Sequence, residues 1–341
     1  MNPVLVEIWR GPMIESFHRG AVVVVDQKGK TVFSLGDAQQ WAYPRSAMKY
    51  FQHIPFLVSG QFDKWGWGPK ELAILCASHN GETMHTSLVE SMLKQMNLES
   101  SQLECGPQAP TLRVDQEKLL LAGEKPSCLH NNCSGKHTGF LAACLSLGHE
   151  IQDYIHPEHP LQQSIKKVIA QFYEMPELDL KTGLDGCSAP IFGMPLRNQA
   201  LAYLNLIQPQ RVSDDPRVWE ACKRIVAAVA MYPELIAGSQ RYCSDLVRIT
   251  KGRIIGKTGA DGIYSLAIPD EKLAAVIKID DGKMGPQYQV AHQLLLEMGL
   301  LSQKEQEELK DYSEQANVNF AKRQVGFTRA VALNCSFNRY S

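Results

Sequence analysis

The chain has 341 residues, 44% hydrophobic and 21% charged, as expected of a globular protein with a sizeable core. Lys plus Arg total 35 against 36 Asp plus Glu, so no net field favours nucleic acid or an anionic membrane, and small-molecule chemistry is the expectation. The first residues lack a basic segment followed by an apolar run, no stretch approaches a membrane span, and nine scattered cysteines form no disulfide framework, which together predict a reduced, cytoplasmic protein.

Residues 4 to 36 predict an antiparallel meander of Leu5–Trp9, Met13–His18, Ala21–Val25 and Thr31–Leu35. Pro44 then opens a helix in "YPRSAMKYF", where Ser46 and Lys49 stand three apart and so share one helical face. Such a pair is a nucleophile design, because a desolvated lysine can take the proton of a serine. The stretch "LAILCASHNGE" ends an apolar run at Ser78-His79, with Asn80-Gly81 suited to the turn that terminates it. Apolar stripes at Leu88, Val89, Met92, Leu93 and Met96, and again at Leu161, Ile165, Val168, Ile169 and Phe172, are helical core faces with no chemistry implied.

Two further stretches, "NNCSGKHTGFLAAC" and "GLDGCSAPIFGMPL", each set a cysteine among polar residues and glycines. Cys133 and Cys187 have the chemistry of soft metal ligands but lack the close Cys-x-x-Cys spacing of a zinc motif. In "GRIIGKTGADGIYS" only three residues separate Gly252 from Gly256-Lys257-Thr258, one too few for a phosphate loop, and a strand pattern rather than a helix follows. Lys257-Thr258-Gly259 instead matches the strand-borne Lys-Thr-Gly that serine acyl-transfer enzymes of the β-lactamase type place beside a Ser-x-x-Lys helix.

Strand signals return at Arg253–Gly256, Ile263–Ile268 and Lys272–Ile279, followed by a helix from about 287 to 301. The charged "QKEQEELKDYSEQ" reads as a solvated helix and "RQVGFTRAVAL" as a last edge strand. The expected fold is α+β: one compact unit over 1–341 with an antiparallel sheet and flanking helices, its sheet part in 1–45 and 250–341 and a mainly helical part in 46–249.

Taken together, "RGPMIESFHRG", "PRSAMKYFQHIP", "CASHNGE", "LECGPQAP", "NNCSGKHTGF", "GLDGCSAPIFGMPL" and "GKTGADGIY" resemble, in order and over almost the whole chain, the class 3 (rhizobial-type, serine-dependent) L-asparaginase family. The resemblance implies a fold similar to that of serine β-lactamases and glutaminases, and hydrolysis of L-asparagine to L-aspartate and ammonia. It implies two serine-lysine tandems, Ser46 with Lys49 and Ser78 with Lys257, and substrate contacts from Arg45, His137 and Asp185. It also implies zinc, held by Cys133, Lys136 and Cys187, and a homodimer. The chain departs from the family pattern at Tyr50 and Gln108, where proline and histidine are common; these positions bear on substrate fit more than on reaction type. The alternatives are another serine amidohydrolase such as a β-lactamase, whose substrates lie outside the cytoplasm, or a non-catalytic zinc-binding protein, against which both complete tandems argue.

Overall fold

The computed structural model describes residues 1–335; residues 336–341, the end of the expected unit, lie outside the described residues. The architecture is α+β. Among the described residues eleven strands run β1 Val4–Arg10, β2 Met13–Val25, β3 Thr31–Leu35, β4 Trp41–Ala42, β5 Lys181–Leu184, β6 Pro190–Pro195, β7 Ile255–Gly259, β8 Ile263–Ile268, β9 Leu273–Ile279, β10 Glu314–Val318 and β11 Gln324–Ala330. The large sheet has the order β10-β11-β1-β2-β9-β8-β7, with β3 beside β2, and every pairing in it is antiparallel. Among the described residues, no helix is long and apolar enough to cross a membrane.

The run Val22 to Val25 is apolar at every position because this part of the sheet is covered on both faces. Side chains alternate along a strand, so Val23 and Val25 enter the core shared with the helical part, while Val22 and Val24 enter a second core. That second core is closed by Val290 and Leu294 of the helix Pro286–Glu297 and by Leu246 of the helix Tyr242–Ile249. Each such valine contributes about 1.5–3 kcal/mol by leaving water.

Three expectations change. Met13–His18 and Ala21–Val25 are one strand, because Gly20 does not turn: it pairs with Ile279, and a Cβ there would lie 2.1 Å from the Lys278 carbonyl oxygen. Residues 13 to 19 of this strand pair with β1, and the rest with β9 and β3. The segment read as a last edge strand is interior, since β11 pairs with β1 on one side and β10 on the other. The charged segment is α-helical only over Gln303–Glu308, makes a 3₁₀ turn at Lys310–Tyr312 and then supplies the start of β10, the true edge. A small sheet of order β4-β6-β5, which the sequence pattern did not separate from the helical part, carries the Asp185 turn.

Candidate active site

Ser46 sits in a 3₁₀ turn, Arg45–Met48, that runs directly into the helix Lys49–Gln52. Arg45 has φ +52°, a left-handed conformation that a non-glycine residue adopts at a cost of about 1–3 kcal/mol and that clusters at functional sites. The turn is pressed against β7. A Cβ on Gly259 would lie 2.2 Å from the Pro44 carbonyl oxygen, so only glycine permits this approach, and the Tyr50 hydroxyl donates to the Gly256 carbonyl at 3.3 Å. Tyr203 fixes the same turn by donating to the Ala47 carbonyl at 2.7 Å. On β7, Ile255 and Lys257 are two apart and share the face turned to the helical part, which is how a lysine comes to be wholly buried there.

The lysine of the first expected tandem bonds the serine of the second. Lys49 Nζ donates to Ser78 Oγ at 2.8 Å, to the Ala77 carbonyl at 2.7 Å and to the Asn132 carbonyl at 3.4 Å, three acceptors for the three hydrogens of an ammonium. Among the described residues the Ser46 hydroxyl makes no hydrogen bond, and Lys257 Nζ reaches only the Thr258 carbonyl, at 3.4 Å. Burial, helped by the positive charge of Lys49, pushes Lys257 down to about 7, so much of it is uncharged at neutral pH. Ser78 is held from behind by its own N–H, which donates to the Ile236 carbonyl at 2.8 Å.

Of these groups Ser46 lines a cavity of about 150 Å³, together with Arg45, Gln108, Asn132, Cys133 and Asp185 among others. Asp185 is presented by the β5–β6 hairpin, whose tight turn closes through the Asp185 N–H to the Ala189 carbonyl at 2.9 Å with Ser188 at φ +68°. Its carboxylate accepts from Arg45 Nε at 2.8 Å, and Arg45 Nη1 also donates to Asp261 in the β7–β8 turn. Burial opposes the charge of Asp185, but Lys136 and Arg45 outweigh it and hold the carboxyl below its usual range. Cavity and ion pair thus set a cation, an anion and a serine hydroxyl within one small space.

Cys133, Lys136 and Cys187 do meet, but as an ion cluster rather than a metal site. Lys136 Nζ donates to Cys187 Sγ at 3.0 Å. A hydrogen bond from Cys187 brings the Cys133 thiol down to about 5 against the opposing effect of burial, while the Cys187 thiol, as the donor, is raised. Burial also disfavours the Lys136 charge, yet Cys187, Cys133 and Asp185 outweigh it and raise its pKa. An ammonium has no lone pair to offer, and among the described residues no group of three or more His, Cys, Asp and Glu gathers to hold an ion. The expectation of zinc on these three residues is therefore overturned: the positive charge beside the thiolate is supplied by Lys136. His137, expected at the substrate, is fully buried behind the cavity, with Nδ1 2.7 Å from the Tyr154 hydroxyl, and burial lowers it to about 4, so it is neutral.

Asn132, Gly186, Ala260 and Asp261, none of them among the expected site residues, also belong to the site or its rim. Their signal was position alone, since each lies within one of the glycine-rich or cysteine-bearing stretches. The departures at Tyr50 and Gln108 find places too, Tyr50 tying the Ser46 helix to β7 and Gln108 lining the cavity.

The sequence profile of L-asparaginase II matches residues 6–330. No curated protein sequence matches the chain. Solved structures similar to it include a β-lactamase from Mycobacterium bovis, 14% identical over 86% of this chain and 94% of that one with a TM-score of 0.40. Another is a probable glutaminase from Bacillus subtilis complexed with 6-diazo-5-oxo-L-norleucine, 13% identical over 82% and 84% with a TM-score of 0.38.

Proposed function

The chain belongs to the L-asparaginase II family, and from that premise we propose that this hydrolytic enzyme cleaves the side-chain amide of L-asparagine, giving L-aspartate and ammonia through an ester on Ser46. The observation that carries the reading is the contrast between two buried lysines behind one cavity-lining serine: Lys49, bonded to Ser78, and Lys257, lowered to about 7. Ser46 is the nucleophile, and neutral Lys257 accepts its proton as the oxygen attacks the amide carbon. The leaving nitrogen takes a proton from Ser78, which Lys49 reprotonates along their hydrogen bond, so ammonia departs and Lys49 is left neutral. In the second half, water attacks the ester, its proton passes through Ser78 to Lys49, and Lys257 returns a proton to the Ser46 oxygen. Both lysines end as they began. Arg45 and Asp185, opening their mutual ion pair, take the α-carboxylate and α-ammonium of the substrate.

The reading extends to the homodimer that the family resemblance supports, which sedimentation of the purified protein tests. Ammonia release from L-asparagine, with L-glutamine and a β-lactam run in parallel, tests the activity. The expected result is turnover of asparagine that Ser46→Ala abolishes; no ammonia from asparagine, or full turnover by Ser46→Ala, sinks the reading.

A further inference from the structure

We propose that Gln108 is a specificity-determining residue that donates hydrogen bonds to the α-carboxylate of the amino-acid substrate, an inference that rests on the cavity taking L-asparagine. The Gln108 side chain lines the same cavity as Ser46, Arg45 and Asp185, and its oxygen accepts from the Asn132 N–H at 3.2 Å. A backbone N–H can only donate, so that bond fixes which end of the carboxamide is oxygen and leaves the nitrogen, with two hydrogens, as the free end. Among the described residues Gln108 Nε2 has no partner.

Of the other two carboxamides of the cavity wall, Asn131 has its donors engaged and Asn132 its oxygen. Asn131 spends both Nδ2 hydrogens on the carbonyls of Cys105 and Gly106, at 2.8 and 3.0 Å. In Asn132 it is the oxygen, not the nitrogen, that faces the Cys133 sulfur, at 3.0 Å. Arg45, the cation of the cavity wall, already faces two carboxylates, Asp185 and Asp261, so an incoming carboxylate meets a guanidinium whose charge is largely compensated. Uncharged N–H donors in the same wall supply what that compensated cation does not, and they cannot serve the substrate ammonium, which is itself only a donor.

The support is rigid. The loop bearing Gln108 is tied down before it by the two Asn131 bonds and after it by the Thr111 N–H, which donates to the Asn80 carbonyl at 2.7 Å. A donor on a preorganised loop binds without a further ordering cost.

The test separates the donor from the scaffold. Gln108→Glu keeps an oxygen for the Asn132 N–H and deletes both N–H donors, whereas Gln108→Ala deletes both functions. KM for L-asparagine is expected to rise about tenfold or more in both, further in Gln108→Glu where carboxylate faces carboxylate, with kcat within about threefold of wild type. Inhibition by 3-aminopropanamide, which is asparagine without its α-carboxylate, is expected to be equal for wild type and Gln108→Glu. A wild-type KM in Gln108→Glu overturns the inference, as does an equal loss of 3-aminopropanamide binding. A fall in kcat at constant KM in Gln108→Ala, with Gln108→Glu normal, would make the residue a support for Asn132 instead. Calorimetric binding of L-aspartate reads the same difference without turnover. A wild type that binds aspartate but releases no ammonia, with Gln108→Glu binding about tenfold more weakly, would retire the asparaginase reading and leave the role of Gln108 standing.

Discussion

Lys49 meets three oxygens, whereas Lys257, equally buried, reaches only one carbonyl at 3.4 Å, and the roles proposed for the two amines follow from that difference. Because the neutral form of Lys257 is the proton acceptor and its pKa lies at about 7, its competent fraction grows as pH rises through that value. Turnover of asparagine should therefore climb about tenfold per pH unit below 7 and level off above it. A profile flat from pH 5.5 to 8.5 would remove Lys257 as the base. Ser78→Ala breaks the bond to Lys49 and with it the path that returns protons to the leaving nitrogen, for an expected loss of 100 to 10,000-fold in kcat, about the range of one positioned proton donor. Near wild-type kcat in that variant would mean that ammonia collects its proton elsewhere. The sequence offered all four of these residues, but as two separate tandems. That Lys49 bonds Ser78 depends on how the helix Lys49–Gln52 and the loop after Pro69–Leu75 meet in the fold, and no local spacing encodes that.

At the scale of elements, glycines without side chains do what motif residues cannot. Gly259 lets β7 approach the Ser46 turn, and Gly135, whose Cβ would lie 2.2 Å from the Ile74 carbonyl oxygen, lets the helix Ser134–Leu147 approach Pro69–Leu75, the helix leading to Ser78. In both cases the obstacle is backbone, which cannot swing aside. Gly259→Ala should therefore cost about 1–3 kcal/mol of stability as an overpacking change and also lower kcat, because the strain separates Ser46 from Lys257. Thermal melting together with kcat checks this, and a variant with the melting temperature and kcat of wild type would show that the close approach is dispensable. Apart from β10, whose start lies in the charged segment read as helix, the strands of the large sheet were legible because their apolar runs and turns are local. The continuity of β2 through Gly20 was not, since the carbonyl that demands the glycine belongs to Lys278 on a distant strand. Zinc failed for a related reason: two cysteines and a lysine are visible in sequence, but whether the lysine arrives as a ligand or as an ammonium depends on the thiols and Asp185 around it in the fold.

Across the whole molecule the site is a local loss of stability carried by a sheet buried on both faces. Valines of β2 enter two cores, and the same burial that stabilises them desolvates Lys257 on β7. The pKa of Lys257 is depressed in the folded protein relative to the ordinary lysine value of 10.5. Between about 7 and 10.5 the unfolded chain binds more protons at this position than the folded one, so its contribution to stability rises with pH across that window; below 7 the amine is charged in both states and the cost of burying it is complete. Lys257→Met keeps an unbranched chain of similar length and removes that cost. The variant should be inactive yet more stable than wild type, on the order of 1–3 kcal/mol at pH 6, and the gain should shrink as pH is raised towards 10. Paired denaturant titrations at pH 6 and 9 measure both the gain and its slope. A variant less stable than wild type at pH 6, or a gain that grows with pH, would mean that Lys257 is held by favourable interactions in its charged form and is not the neutral base of the site.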